Sequence, residues 1–261
     1  MSGFDVLGSC FLYGYRGSIA HGLAVLKGED ATDDIDLMGV CVPPVSYYHG
    51  LDSFEQTDWW EGNKDIVVYE ARKFIRLLIK ANPNVLSFLW NRDDMWLTKN
   101  TAGELLLANR RLFSTKRAYD SFVGYAVAQL RKMQHQAYAG YMGEKRKQLV
   151  AKHGFDTKNA SHLIRLLRMG AEFLETGELQ VYREHDREEL LAIKRGEYSL
   201  ARIELLYNSL FSSIESSNAL SNLPHHPDMK AVNRLTREII EMELDIAVVH
   251  PHDKKDEARH D

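Results

Sequence analysis

The sequence predicts an α+β fold, a small mixed β-sheet followed by a long helical region. Two observations carry that prediction. Runs rich in β-branched and aromatic residues, bounded by Gly, Pro, Asn or Asp, are confined to roughly the first 70 residues. From Glu70 onward the apolar spacing changes from two to three and four, the period of a helix. A chain of 261 residues has ample length to bury a core around both parts.

Taken in order, 6–14 (VLGSCFLYG), 35–42 (IDLMGVCV) and 65–69 (DIVVY) read as strands, and 52–59 as a fourth with a poorer pattern. A short helix is expected around 18–25. YEARKFIRLLIKA places Phe74, Leu77, Leu78 and Ala81 at helical spacing, and NPNVLSFLW restarts a helix with Pro83 in its first turn. Helical patterns follow at 101–112, 115–138, 158–175, 186–195, 199–215 and 228–243. The pattern divides into a core over 1–95, a helical region over 96–245 and a polar tail over 246–261, without apolar period, that reads as disordered.

The formal net charge of −4 hides an uneven distribution. Between Leu105 and Arg168 thirteen Lys and Arg stand against three Asp and Glu, a local excess of +10 that would attract polyanions. Cys10 and Cys41 lie in apolar runs without basic neighbours and read as packing residues, which favours a reducing compartment. The N-terminus lacks a basic stretch followed by a long apolar one, and no apolar run nears the ~20 residues that span a bilayer. A cytoplasmic protein without a membrane partner is expected.

The chemistry concentrates in ATDDIDLMGVCVPP (31–44). Carboxylates at the mouth of a buried strand are costly to desolvate unless paired. On an extended segment residues two apart share a side, so Asp34 and Asp36 share a face while Ile35 and Leu37 turn to the core. Such a pair suits Mg2+ (or Mn2+), which is held by few carboxylates plus substrate phosphates. Upstream, LYGYRGSIAHGL reads as strand, Gly-Ser turn and helix start, where backbone N–H groups and the Ser18 hydroxyl suit a phosphate. Asp65, opening another strand, is placed to complete the cluster; Glu70, where a helix begins, is the alternative. Asp-x-Asp alone is a common turn or solvated strand end, and it is the ordered set that points to phosphoryl or nucleotidyl transfer.

The helical half offers a second candidate. On TKNASHLIRLLRMGAEFLETGE a wheel puts Ala160, Leu163, Ile164, Leu167, Ala171 and Leu174 on one side and Lys158, His162, Arg165 and Met169 on the other. Lys158, His162 and Arg165 form a cationic ridge able to meet a triphosphate or RNA phosphate, with Glu172 the only neutralising neighbour. An ordinary solvated face has the same appearance. Arg72 and Lys73 follow the third strand and are within reach of substrate phosphates, or are plain first-turn surface residues. Cations mixed with aromatics at 115–138 suit a nucleic-acid backbone. His225 and His226 lack the spaced partners of a transition-metal site.

GSIAHGL…DDIDLMGVCVPP resembles the Gly-Ser and Asp-x-Asp signature of the DNA polymerase β-type nucleotidyltransferase superfamily. VYEARKFIRLLIKANPNVLSFLW and GFDTKNASHLIRLLRMGAEFLETGELQVYREHDREELLAIKRGEYS resemble the narrower family of predicted nucleotidyltransferases named for RNA repair pathways. The resemblance runs over roughly residues 8 to 235. It implies a nucleotidyltransferase core over 1–95, metal binding by Asp34 and Asp36, and nucleotide contacts from Gly17 and Ser18. The lead into the carboxylates, VLKGEDATDD, is longer and more acidic than the family's TP-x-SD. The expected activity is metal-dependent transfer of a nucleoside monophosphate from an NTP to an acceptor hydroxyl, an RNA (tRNA-like) 3′ end. Nucleotidylation of a protein or small molecule, and a catalytically silent RNA-binding or antitoxin-type regulator, are the alternatives.

Overall fold

The apolar runs of the N-terminal half become strands of one sheet in a computed structural model that describes residues 3–25, 34–134 and 150–245. These are β1 (Cys10–Tyr15), β2 (Ile35–Cys41), β3 (Gln56–Glu61), β4 (Lys64–Glu70) and β5 (Trp96–Lys99). Their order is β3-β4-β2-β1-β5. β2 and β4 are parallel and the other neighbours antiparallel, which makes the sheet mixed. Gly62 and Asn63 close the β3–β4 hairpin, with Gly62 at φ +61°, a value that favours glycine.

Alternation along the strands sorts the sheet into two faces. Met38, Val40 and Val67 join a large core shared with the helices. Leu37, Cys41, Ile66 and Val68 join Cys10 in a smaller cluster covered by Phe4, Val6, Phe54 and Trp59. Cys10 and Cys41 are register partners, both buried free thiols, and burial pushes Cys10 up to about 12. They pack, as their surroundings in the sequence suggest.

Helices form where the period changes. Glu70 is 1% exposed and caps α3 by accepting from the Lys73 N–H; α3 spans Ala71–Ile79, following the one-turn α1 (Gly17–Ala20) and α2 (Ser46–His49). Asn82 caps α4 (Pro83–Phe88) and Asn100 caps α5 (Thr101–Ala108). α6 (Arg117–Gln134), α7 (Thr157–Thr176), α8 (Arg187–Lys194) and α9 (Leu200–Leu220) form the helical region, with α7 packed between α6 and α9. α10 (Met229–Glu243) returns to lie on α3 and α5, so the C-terminal helix belongs spatially to the sheet layer. One hydrophobic cluster runs through both regions.

The departures from expectation have local causes. Residues 6–9 form a turn rather than strand, because Asp5 accepts from the N–H of Gly8 at 2.9 Å and its carbonyl accepts from Ser9. The helix expected over 18–25 stops at Ala20, ahead of Gly22 at φ +72°. β5 lies beyond the boundary expected at residue 95, and pairing with β1 makes it part of the sheet. The helix expected over 101–112 breaks at Asn109 into a 3-10 turn, Arg110–Phe113. Lys145, Arg146, Lys147 and the tail 246–261 lie outside the described residues.

The loop after α7 is tied down by Arg183, which is fully buried. Its guanidinium donates to both oxygens of Glu172 (2.6 and 2.8 Å) and of Asp186 (2.9 and 2.8 Å). Removing one partner of a buried pair strands the other charges. Arg183→Met should therefore lower the unfolding free energy by about 3–5 kcal/mol in a urea titration. Lys64→Ala, which deletes an exposed pair with Glu61 (3.1 Å), should change it by less than about 1 kcal/mol.

Candidate active site

The end of β1 and the start of β2 set the site. Gly17 has φ +63°, and a Cβ on it would meet Cγ of Asp36 at 2.9 Å. Glycine is required there twice, by the backbone and by the carboxylate pressed against it. The Arg16 N–H donates to the Asp36 carbonyl at 2.9 Å, which fixes the turn against β2. Ser18 Oγ is buried and has no hydrogen-bond partner among the described residues.

Asp36 and Asp65 are register partners on the parallel strands β2 and β4, and both project to the face that carries the helices. The Arg16 guanidinium lies between them, 2.8 Å from Asp65 Oδ2 and 3.7 Å from Asp36 Oδ1. Burial holds the Asp36 carboxyl above its ordinary pKa; Arg16 opposes the shift and Asp65 reinforces it. Asp34, two residues back on the same side of the chain, is exposed.

A cleft opens between this edge of the sheet and α7. Gly17, Ser18 and Asp36 line one side, and Lys158, His162 and Arg165 line the other. The two candidate sites are thus one. The setting of Arg165 differs from the solvated ridge that the helical wheel suggests: α7 is buried on both sides, with Arg165 6% exposed and Met169 fully covered. Glu172 does not neutralise the ridge, since Arg183 holds it. Arg168 is likewise engaged, by Asp186 at 2.9 Å and Glu189 at 2.6 Å. Among the described residues Arg165 has no ion pair, and its hydrogen bond goes to the Met169 thioether at 3.1 Å. Burial, with Arg183 nearby, pushes its pKa down to about 9. A cation held at that cost calls for an anion in the cleft.

Four expected residues stand apart from the cleft wall, the exposed Asp34 and three others. Asp65 is joined to it through Arg16. Lys73 pairs with Glu55 at 2.9 Å. Glu70, besides capping α3, accepts from Arg72 (2.9 Å) and Tyr48 (3.1 Å), so its carboxylate is fully engaged at the other end of β4 from Asp65. His21, Asn91 and Lys194 line the cleft unannounced by any local motif. The buried His21 ring meets the Val181 carbonyl through Nδ1 at 2.9 Å, and burial pulls its pKa well below the ordinary value, so it is a neutral imidazole with the proton on Nδ1. Lys194 donates to the Leu23 carbonyl at 2.8 Å.

Asp34, Asp36 and Asp65 are the hard oxygen donors at hand, of the kind that suits a divalent cation. Among the described residues no three His, Cys, Asp or Glu side chains converge into a metal-ligating group. Nor is any described helix long and apolar enough to cross a membrane.

No curated protein matches the chain. A crystal structure of a nucleotidyltransferase-like protein from Exiguobacterium sibiricum 255-15 is similar at 15% identity and a TM-score of 0.30, over 81% of this chain and 71% of that one. The model of RlaP, the RNA repair pathway DNA polymerase beta family, matches residues 11–238, a span that takes in β1 except Cys10, β2 to β5 and every residue of the cleft wall. The chain belongs to that nucleotidyltransferase-like family of the DNA polymerase β superfamily.

Proposed function

We propose that this protein is a metal-dependent nucleotidyltransferase that moves a nucleoside monophosphate from an NTP to an acceptor hydroxyl, an RNA 3′ end. The observation that carries the reading is Arg165, a buried cation without a carboxylate partner among the described residues, in one cleft with Gly17-Ser18 and Asp36. A triphosphate supplies the missing counter-charge. Lys158 adds to the pull, and Ser18 Oγ donates to a phosphate oxygen. Asp36 and Asp65, paired in register, with Asp34 two residues back from Asp36, are the residues that would hold Mg2+ or Mn2+. A divalent ion bound there would supply charge neutralisation on the phosphates and lower the pKa of the acceptor hydroxyl. Asp65 then promotes loss of the hydroxyl proton, and Arg165 steadies the charge that develops on the departing pyrophosphate. The RNA acceptor is taken from the family, whose description is of RNA repair. The Arg16 bridge, which already offsets part of the carboxylates' charge, favours as a second reading a silent RNA-binding regulator.

Incubation with total RNA, Mg2+ or Mn2+ and each α-labelled NTP in turn separates these. Label in RNA is the expected result; label confined to protein selects the protein acceptor, and pyrophosphate release with neither selects a small molecule. RNA binding with no pyrophosphate release for any NTP selects the regulator. Asp36→Asn should cost several kcal/mol of transition-state stabilisation, a rate loss of about a hundred- to a thousand-fold, and full activity in this variant would sink the mechanism. Arg165→Met should weaken NTP binding about ten- to a hundred-fold by equilibrium dialysis while leaving the melting temperature unchanged or higher, since an unpaired buried charge is replaced by an apolar chain. The pH profile has a definite sign. A raised Asp36 pKa keeps the carboxyl protonated at pH values where an ordinary Asp (about 3.9) is ionised, so the metal-dependent rate should fall with acid from above that value, about tenfold per pH unit.

A further inference from the structure

We infer that Arg16 is a built-in competitor for the divalent ion: it offsets half of the charge of Asp36 and Asp65 and thereby sets the ion affinity of the site. The inference rests on the reading above, that these carboxylates bind the ion.

Arg16 is a fixture of the sheet edge rather than a roaming surface side chain. Its backbone N–H donates to the Asp36 carbonyl at 2.9 Å, and its Nε donates to the Leu37 carbonyl at 3.1 Å. The next residue, Gly17, is packed against the Asp36 carboxylate. With backbone and Nε both held on β2, the terminal nitrogen Nη2 is delivered to Asp65 at 2.8 Å, and Asp36 is 3.7 Å away. The Arg16 side chain is 23% exposed, so solvent screens these contacts only in part.

The electrostatic consequence follows. Two carboxylates in register repel, and one guanidinium between them leaves a net single negative charge. An incoming dication seeks the oxygens that Arg16 already holds. It must either break the Arg16–Asp65 contact or sit beside a like charge, and both weaken its binding. A triphosphate in the adjoining cleft reverses the balance, because it brings negative charge and new acceptors for the guanidinium. Ion and nucleotide should therefore bind with positive coupling, each improving the affinity of the other. Arg16 is a positioning residue in this account, acting through the two carboxylates.

The test is Mn2+ titration of the full chain, followed by electron paramagnetic resonance, with and without a non-hydrolysable NTP analogue. Arg16→Gln keeps a donor for the Leu37 carbonyl and drops the charge. Without nucleotide it should bind Mn2+ about tenfold more tightly than the wild type, or better, and the difference should shrink once the analogue is present. Arg16→Lys, which keeps the charge, should stay near the wild type. In EDTA, Arg16→Gln should melt below the wild type and recover with Mn2+, which also reports that it is folded. Mere structural damage would weaken Mn2+ binding, the opposite sign. Equal or weaker binding by Arg16→Gln overturns the inference and leaves the function reading standing. No Mn2+ binding by either protein overturns both.

Discussion

The capture of Glu172 and Asp186 by the buried Arg183 is the interaction on which the cleft depends. Those two carboxylates are the acids best placed to neutralise α7, and Arg183 takes both, with Arg168 sharing Asp186. The same knot holds the loop between α7 and α8 against α1, since the Arg183 N–H donates to the His21 carbonyl at 3.1 Å. With those acids engaged, Arg165 is buried and, among the described residues, bonds only the Met169 thioether. An unmatched buried cation is destabilising to the empty fold. Its cost is offset when an anion enters, which is how a binding site differs from a core.

The sheet side of the cleft is organised by the opposite problem. Parallel pairing of β2 and β4 places Asp36 beside Asp65, and alternation sends both to the helical face. Negative charge is concentrated there by the backbone, just as positive charge is concentrated on α7 by the removal of acids. Gly17 lets the turn after β1 come within contact of Asp36. The two charged surfaces meet in a single cleft because one hydrophobic core fixes the sheet and the helices relative to each other.

Much of this was legible in the residues, and the remainder has a physical explanation. Period-two reasoning placed Asp34 and Asp36 on one side of β2, and the Gly-Ser pair marked the turn that faces them. Lys158, His162 and Arg165 line one side of the cleft, but a wheel shows only that polar residues share a side, not whether that side meets water or a second layer. Deciding that required knowing that the sheet packs there. Glu70 looked like a spare carboxylate because a cap and a ligand are the same residue type; its three hydrogen bonds distinguish them. β5 escaped notice since WLTK is short and its apolar partner strand is more than 80 residues upstream, the kind of pairing that no window reveals. His21, Asn91 and Lys194 reach the cleft only through tertiary contacts. Arg16 stood in plain view beside Gly17, but its role follows from the register of two strands.

Charge along a sequence is not charge in space. The cation-rich window from 105 to 168 suggested a broad basic surface, yet Arg111 and Arg110 share Glu178 at 2.6 and 3.8 Å, and Arg168 is held by Asp186 and Glu189. Each of these acids lies outside the window, so they vanish from a local count and reappear in the fold. Arg165, by contrast, has no ion pair among the described residues and lines the cleft. Part of the count is thus offset by acids from outside the window, while Arg165 lies in the cleft with Asp36. A ligand that satisfies both walls must carry dense negative charge toward α7 and bring or accept a cation at the sheet edge, and a metal-bound triphosphate has that distribution.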